Sequence, residues 1–257
     1  MIKFFRKIRQ NLLMENKTGK YFKYAIGEIV LVVIGILIAL YLNNLNEQNT
    51  IHKQQENYLI LVKREMMSNL KSLAIENEQL SQAINGSRKI LNISGTAVKL
   101  ETIPESELSK TIASTFSSDI IIKYENGALN QIIYSGGLKD IENDSIRGII
   151  ASWEGKINLV RLQEGQVNKA ITEVKNLITK YGEFRNIGED LGFASKYKLE
   201  ISNNRGSNRK LMQLKEFENS VFALFATGIS LQQSEYPKFE KDMQSLIGLI
   251  NHELNKK

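Results

Sequence analysis

Two histidines, His52 and His252, and three acids in one loop-like stretch, Glu183, Glu189 and Asp190, are the residues best suited to metal or acid–base chemistry. A zinc site needs several nitrogen, oxygen or sulfur ligands at fixed spacing, as in H-E-x-x-H or H-x-x-x-H. Neither histidine has such company, so both read as exposed polar residues. The loop acids offer carboxylates for general acid–base work, but paired acids in a loop occur without function and do not specify a reaction. The chain has no cysteine, which excludes thiol catalysis, thiolate metal sites and disulfides. G-x-S-x-G, G-x-x-x-x-G-K-[ST] and G-x-G-x-x-G are all absent. The expectation is a chain that is not an enzyme and needs no metal or cofactor.

The remaining residue with chemical potential is Glu28, inside the run "YAIGEIVLVVIGILIALYL" from Tyr24 to Leu42. Twelve Ile, Leu and Val residues in this run contribute about −5 kcal/mol to membrane insertion. A carboxylate at mid-membrane opposes this by about 2.5 to 3.5 kcal/mol, and less near the boundary, where Glu28 lies. Insertion wins, and the run is as long as a hydrocarbon core is thick. On a helix Glu28, Gly35 and Ala39 share one stripe. Gly35-x-x-x-Ala39 is a small-xxx-small pair that lets a second helix approach closely. This stripe is the candidate for helix association, with either another copy of the chain or another envelope protein. The alternative is a snorkelling Glu28 that marks the start of the span.

Charge sets the direction of the span. Residues 1–23 hold Lys3, Arg6, Lys7, Arg9, Lys17, Lys20 and Lys23 against Glu15, so the rest of the chain nets to zero out of a total of +6. The basic pI reflects this arm rather than a basic folded surface, which argues against nucleic acid as a partner. By the positive-inside rule the arm 1–23 is cytoplasmic, 24–42 is an uncleaved signal anchor in the inner membrane, and 43–257 faces the periplasm. Ile2, Phe4, Phe5, Ile8, Leu12 and Leu13 alternate with the basic residues of the arm, a composition suited to a helix on the anionic inner leaflet.

Four apolar stripes must position whatever the domain does. Met66, Leu70, Leu73, Asn77, Leu80, Ile84, Ser87 and Leu91 alternate steps of four and three, which predicts a helix from near Asn43 to near Ile93, ended by Gly95. Ile146 to Tyr181 repeats the rhythm through Trp153, Val160, Val167 and Val174, with only Glu164 interrupting, and predicts a second long helix. A third is expected over 208–233 and a fourth from Pro237. Pro104 followed by Glu105 and Glu107 marks a shorter helix start. "IIIKY" at 120–124 reads as a short strand or extended link, and 183–207 as a long loop. The expected fold is mainly α: a single transmembrane helix followed by an extracytoplasmic antiparallel bundle of long, coiled-coil-like helices.

Two stretches resemble a family. "IKFFRKIRQNLL", "KYFKYAIGEIVLVVIGILIAL" and "LNNLNE" within residues 2–47 are similar to the start of a domain-of-unknown-function family of single-span membrane proteins of Bacteroidota. Ser135, Gly136, Leu138, Ile141 and Asn143 resemble its Ser-Gly-x-Leu-x-x-Ile-x-Asn pattern. The family often has Trp where this chain has Leu45. The resemblance implies location and architecture, not chemistry. The second pattern also has a local reading: Gly136 and Gly137 supply positive φ at a helix end, Leu138 closes the turn, and Asn143 caps the next helix.

The leading expectation is therefore a membrane-anchored, non-enzymatic helical module for assembly or binding in the cell envelope. The alternative is an accessory, stator-like subunit of an ion-driven or transport complex that uses Glu28.

Overall fold

The computed structural model describes residues 18–94 and 97–256. Residues 1–17 of the basic arm and Gly95 lie outside these residues. The described chain is mainly helical, with no strand among the described residues. It divides into two compact units, Met1–Asn57 and Tyr58–Lys257.

Helix α1 runs from Thr18 to Ser94. No proline occurs in this range, so nothing removes a backbone donor along it. In the first unit its Ile, Leu and Val side chains from Ile26 to Leu42 are all at least 46% exposed. This is the one helix among the described residues long and apolar enough to cross a membrane.

In the second unit α1 buries Leu59, Val62, Met66, Leu73, Leu80 and Ile84 on one face. The chain continues through α2 (Ala97–Thr102) and α3 (Glu105–Ala113). Glu105 and Glu107 lie in the first turn of α3, where the helix dipole favours negative charge. Residues 119–126 are non-helical and unpaired by any sheet. Next come α4 (Gly127–Tyr134) and a 3₁₀ turn (Gly137–Asp140). Then follow α5 (Asp144–Ala151) and α6 (Trp153–Tyr181). The stretch after α6 carries α7 (Phe184–Asp190), α8 (Phe193–Tyr197) and α9 (Arg209–Met212). The chain closes with α10 (Lys215–Ser230), a π-helical turn (Leu231–Glu235) and α11 (Tyr236–Leu254).

Side-chain pairs fix the directions of the long helices. Gln232 donates to Ser81 Oγ (2.7 Å) and Asn77 Oδ1 (3.3 Å), and Gly228 faces Leu80 and Ile84. Rising numbers in α10–α11 thus meet falling numbers in α1. Tyr236 reaches Glu164 (3.1 Å) and Lys156 reaches Asp242 (2.6 Å), so α11 is antiparallel to α6 as well. It follows that α1 and α6 run the same way.

Several expectations need correction. The first two long helices are parallel, because the chain between them returns along both before α6 begins. The expected third helix over 208–233 breaks at Gln213 and Leu214, and its part from Lys215 continues into the fourth as one helical stretch: Ser230, Leu231, Glu235 and Tyr236 all keep helical φ and ψ. Pro237 does not start a new helix after a turn. Its ring clashes with the carbonyl four residues back in an α-helix, and a wider turn relieves this. Accordingly the Tyr236 N–H bonds to the Leu231 carbonyl, five residues back. The expected helix over Ile146–Tyr181 breaks at Ser152. The expected loop at 183–207 contains α7 and α8, too short for periodicity to detect.

Candidate functional site

A polar seam crosses the interior of the second unit. Its centre is the extended segment 119–126, whose backbone has no sheet partner and must be satisfied by side chains. Two ladders do this. From α6, Asn168 accepts from Ile120 N (2.8 Å) and donates to Ile120 O (2.9 Å). Glu164 accepts from Ile122 N (2.9 Å), and Arg161 donates to Ile122 O (2.7 Å). From α1, Glu76 accepts from Ile121 N (3.0 Å). Asn69 accepts from Glu125 N (2.8 Å) and donates to Glu125 O (2.7 Å). Gln79 accepts from Ser118 Oγ (2.7 Å). Residue numbers in the segment rise as those in both helices fall, so it runs antiparallel to each.

The ladders fit because of two periodicities. Glu65, Asn69, Glu76 and Gln79 stand four, seven and three residues apart, on one helical face beside the apolar stripe. Arg161, Glu164 and Asn168 repeat the pattern on α6. An extended chain advances about 3.3 Å per residue against about 1.5 Å in a helix, so two segment residues match about one helical turn.

Glu164 is the hub. It is 1% exposed and also accepts from Tyr236 Oη (3.1 Å) and Arg161 (2.8 Å). Glu65 takes the N-terminal donors of α4, Ala128 N (2.6 Å) and Leu129 N (3.3 Å). Burial pushes the Glu65 and Glu76 carboxyls above their ordinary value, against the lowering effect of those backbone bonds. Burial likewise raises the Tyr124 and Tyr236 phenols, and for Tyr236 the nearby Glu164 adds to it. Both phenols therefore stay protonated, and Tyr236 serves as a donor. Trp153 is 2% exposed and donates from Nε1 to the Tyr124 hydroxyl. The Phe239 ring touches both, at 5.8 Å from Trp153 and 5.9 Å from Tyr124.

The loop acids are tied into structure too. Glu189 Oε1 accepts from Arg185 (3.0 Å) and Ser202 N (2.8 Å). Asp190 accepts from Arg205 (2.6 Å) and Ser109 (2.7 Å). Glu183 contributes its backbone N–H to Asn208 Oδ1 (2.8 Å). Beside them α7 and α8 form an apolar cleft of about 270 Å³, lined by Phe116, Phe184, Leu191, Phe193 and Leu199. All but Phe116 of these are exposed.

The other sequence-predicted residues fall as follows. His52 and His252 are exposed, with His52 Nε2 3.6 Å from Glu56. Among the described residues no group of three or more His, Asp or Glu is placed to hold a metal. Glu28 is partly buried, Gly35 and Ala39 are exposed, and nothing lies within 4 Å of a Cβ built on Gly35. Gly136 has φ 78°, the left-handed conformation at the end of α4. Gly137 does not have positive φ, contrary to expectation. It is needed for close approach instead, since a Cβ there would sit 2.9 Å from the Tyr58 ring. Asn143 caps α5, its Oδ1 accepting from Ser145 N (3.0 Å) and Ile146 N (3.2 Å), while its amide donates to Glu253 (2.6 Å).

Sequence reasoning missed Glu65, Asn69, Glu76 and Asn168. The available signal was polar residues at helical spacing next to an apolar stripe, and Glu164 interrupting one.

Comparison with protein-family models, with curated proteins and with solved structures gives no match.

Proposed function

We propose that this chain is a membrane-anchored, non-catalytic helical module whose folded part, outside the cytoplasm, binds another component of the cell envelope. The carrying observation is the apolar surface of α1 from Ile26 to Leu42, which no other described residue covers. Leaving so many large apolar side chains in water is unfavourable by about 1.5 to 3 kcal/mol each, and a bilayer removes that cost. The excess of Lys and Arg before the span supports a cytoplasmic N-terminus. The non-catalytic reading is supported by the buried acids, since Glu65, Glu76 and Glu164 direct oxygens to the chain's own backbone. The cleft of α7 and α8 is the apolar face available to a partner.

A periplasm-dependent reporter fused after Lys257 should be active, and a cytoplasm-dependent one silent; the reverse would reject the orientation. A photo-crosslinker at Phe193 in native membranes should give a discrete adduct that one at Lys241 does not. Equal labelling at both sites would remove the cleft as the binding face.

A further inference from the structure

A second cleft, of about 270 Å³, lies between α4 and α6. Asn126, Asn130 and Tyr134 stand at steps of four on one side, and Glu154 and Asn158 at a step of four on the other. Leu129, Ile133, Trp153 and Ile157 form its apolar part. The side chains of Asn126, Asn130, Glu154 and Asn158 have no hydrogen-bond partner among the described residues.

Asn126 shows that this is built rather than incidental. It occupies the N-cap position of α4, where an Asn normally accepts from the second or third helical N–H. Here it makes no capping bond. Glu65 of α1 has taken those donors, Ala128 N and Leu129 N. The seam thus releases the Asn126 amide for the cleft. Tyr134, 79% exposed, is the most exposed large apolar or aromatic side chain among the described residues of the second unit, and it stands at the rim.

The chemistry of the lining selects a ligand class. Three amides each offer donors and an acceptor, and Glu154 adds acceptors. No Lys or Arg lines the cleft, which disfavours anions, and a single carboxylate is too little for a metal. The walls are half polar, which disfavours an acyl chain. Alternating donor–acceptor groups beside an exposed aromatic face match a molecule with adjacent hydroxyls on one edge and C–H groups on the other. We infer that the cleft between α4 and α6 binds a short saccharide, with Tyr134 against the sugar face and Asn126, Asn130, Glu154 and Asn158 on its hydroxyls. An extended peptide would also suit amides, as in the seam, but a short cleft with an exposed ring at its rim favours the sugar.

This inference goes beyond the role proposed above, since it concerns a different cleft, and it is tested without reference to membrane orientation. The full chain, in a detergent without a sugar headgroup, is titrated with the N-acetylglucosamine trimer, maltotriose and mannotriose, read by ligand-observed NMR. At least one trisaccharide should bind in the millimolar range or tighter. Tyr134→Ala and Asn158→Ala should each weaken it by about tenfold or more, consistent with loss of a contact or hydrogen bond to the ligand. Tyr134→Phe, which keeps the ring, should retain binding, and Phe193→Ala in the other cleft should leave it unchanged. Both mutated side chains are exposed, and unchanged thermal unfolding verifies folding. Failure of all three sugars to bind, or binding indifferent to both alanine variants, overturns the inference. So does tighter binding of an extended peptide that Tyr134→Ala abolishes. None of these results bears on the reporter and crosslinking tests of the anchored module.

Discussion

The seam around residues 119–126 and the span from Ile26 to Leu42 break the usual rule of burial in opposite ways. The seam buries polar groups, with Glu164 at 1% and Asn69 at 0% exposure. The span exposes apolar ones, with no Ile, Leu or Val from Ile26 to Leu42 below 46%. In the seam each buried donor meets an acceptor supplied by the same chain, so the region is complete by itself. In the span no other side chain of the described structure covers the apolar surface. In the anchored module proposed above, lipid or another helix covers it. The seam is thus where substitutions should cost folding, and the span where they should cost location or association while leaving the domain's stability alone.

The largest effect should come from the hub. Glu164→Leu strands the Ile122 N–H and the Tyr236 hydroxyl inside the core and leaves Arg161 without its acid. Urea unfolding of the full chain in detergent should show a loss of about 3 to 5 kcal/mol. A loss below about 1 kcal/mol would mean that the segment 119–126 is not held as described.

Asn168→Leu is milder, because it removes one two-way clasp on Ile120. A loss of about 2 to 3 kcal/mol is expected, and Asn69→Leu should match it at Glu125. Combined, the two should be less than additive if the segment releases as a unit.

A smaller effect is one of pH. Burial raises the Glu76 carboxyl, so the native state keeps a proton that the unfolded chain has already released. Where the native state binds more protons, stability falls as pH rises. The fall begins near the ordinary carboxyl value of 4.5 and ends above the raised one. Glu76→Gln keeps an oxygen for Ile121 N and should flatten that part of the stability–pH curve. An unchanged slope would show that Glu76 is not the titrating group.

The smallest effect on folding belongs to the span. Gly35→Ile meets no neighbour in the chain, so the unfolding curve of the domain should not move. If the stripe of Glu28, Gly35 and Ala39 is an interface, the oligomeric fraction in a membrane two-hybrid assay should drop, while Leu37→Ala should leave it unchanged. Equal behaviour of the two variants would leave Glu28 as a boundary residue.

Much of the architecture was open to reading because it is repetitive. Helices long enough to show several turns declare themselves by spacing, as in Met66–Leu91 and Val160–Ile178. Trp153 follows that rhythm and is in the core. The apolar run after Tyr24 and the cap at Asn143 are local features, set by neighbours in sequence. Glu164 is the informative failure: as an isolated interruption it has no meaning along α6. It acquires one only when α6, α11 and the segment 119–126 meet at its carboxylate.

What the sequence by itself determined is what depends on short-range physics: helical periodicity, turn and cap chemistry, and one long apolar helix near the N-terminus. The tertiary structure alone decided the rest. It set α1 and α6 parallel rather than antiparallel, turned Pro237 into a π-helical turn within one long helix, and paired Glu65 with the start of α4 so that Asn126 faces a cleft. The physical reason is that a buried backbone N–H or C=O must find a partner wherever one is near in space. A polar side chain at helical spacing carries no mark of which distant strand of chain it will satisfy.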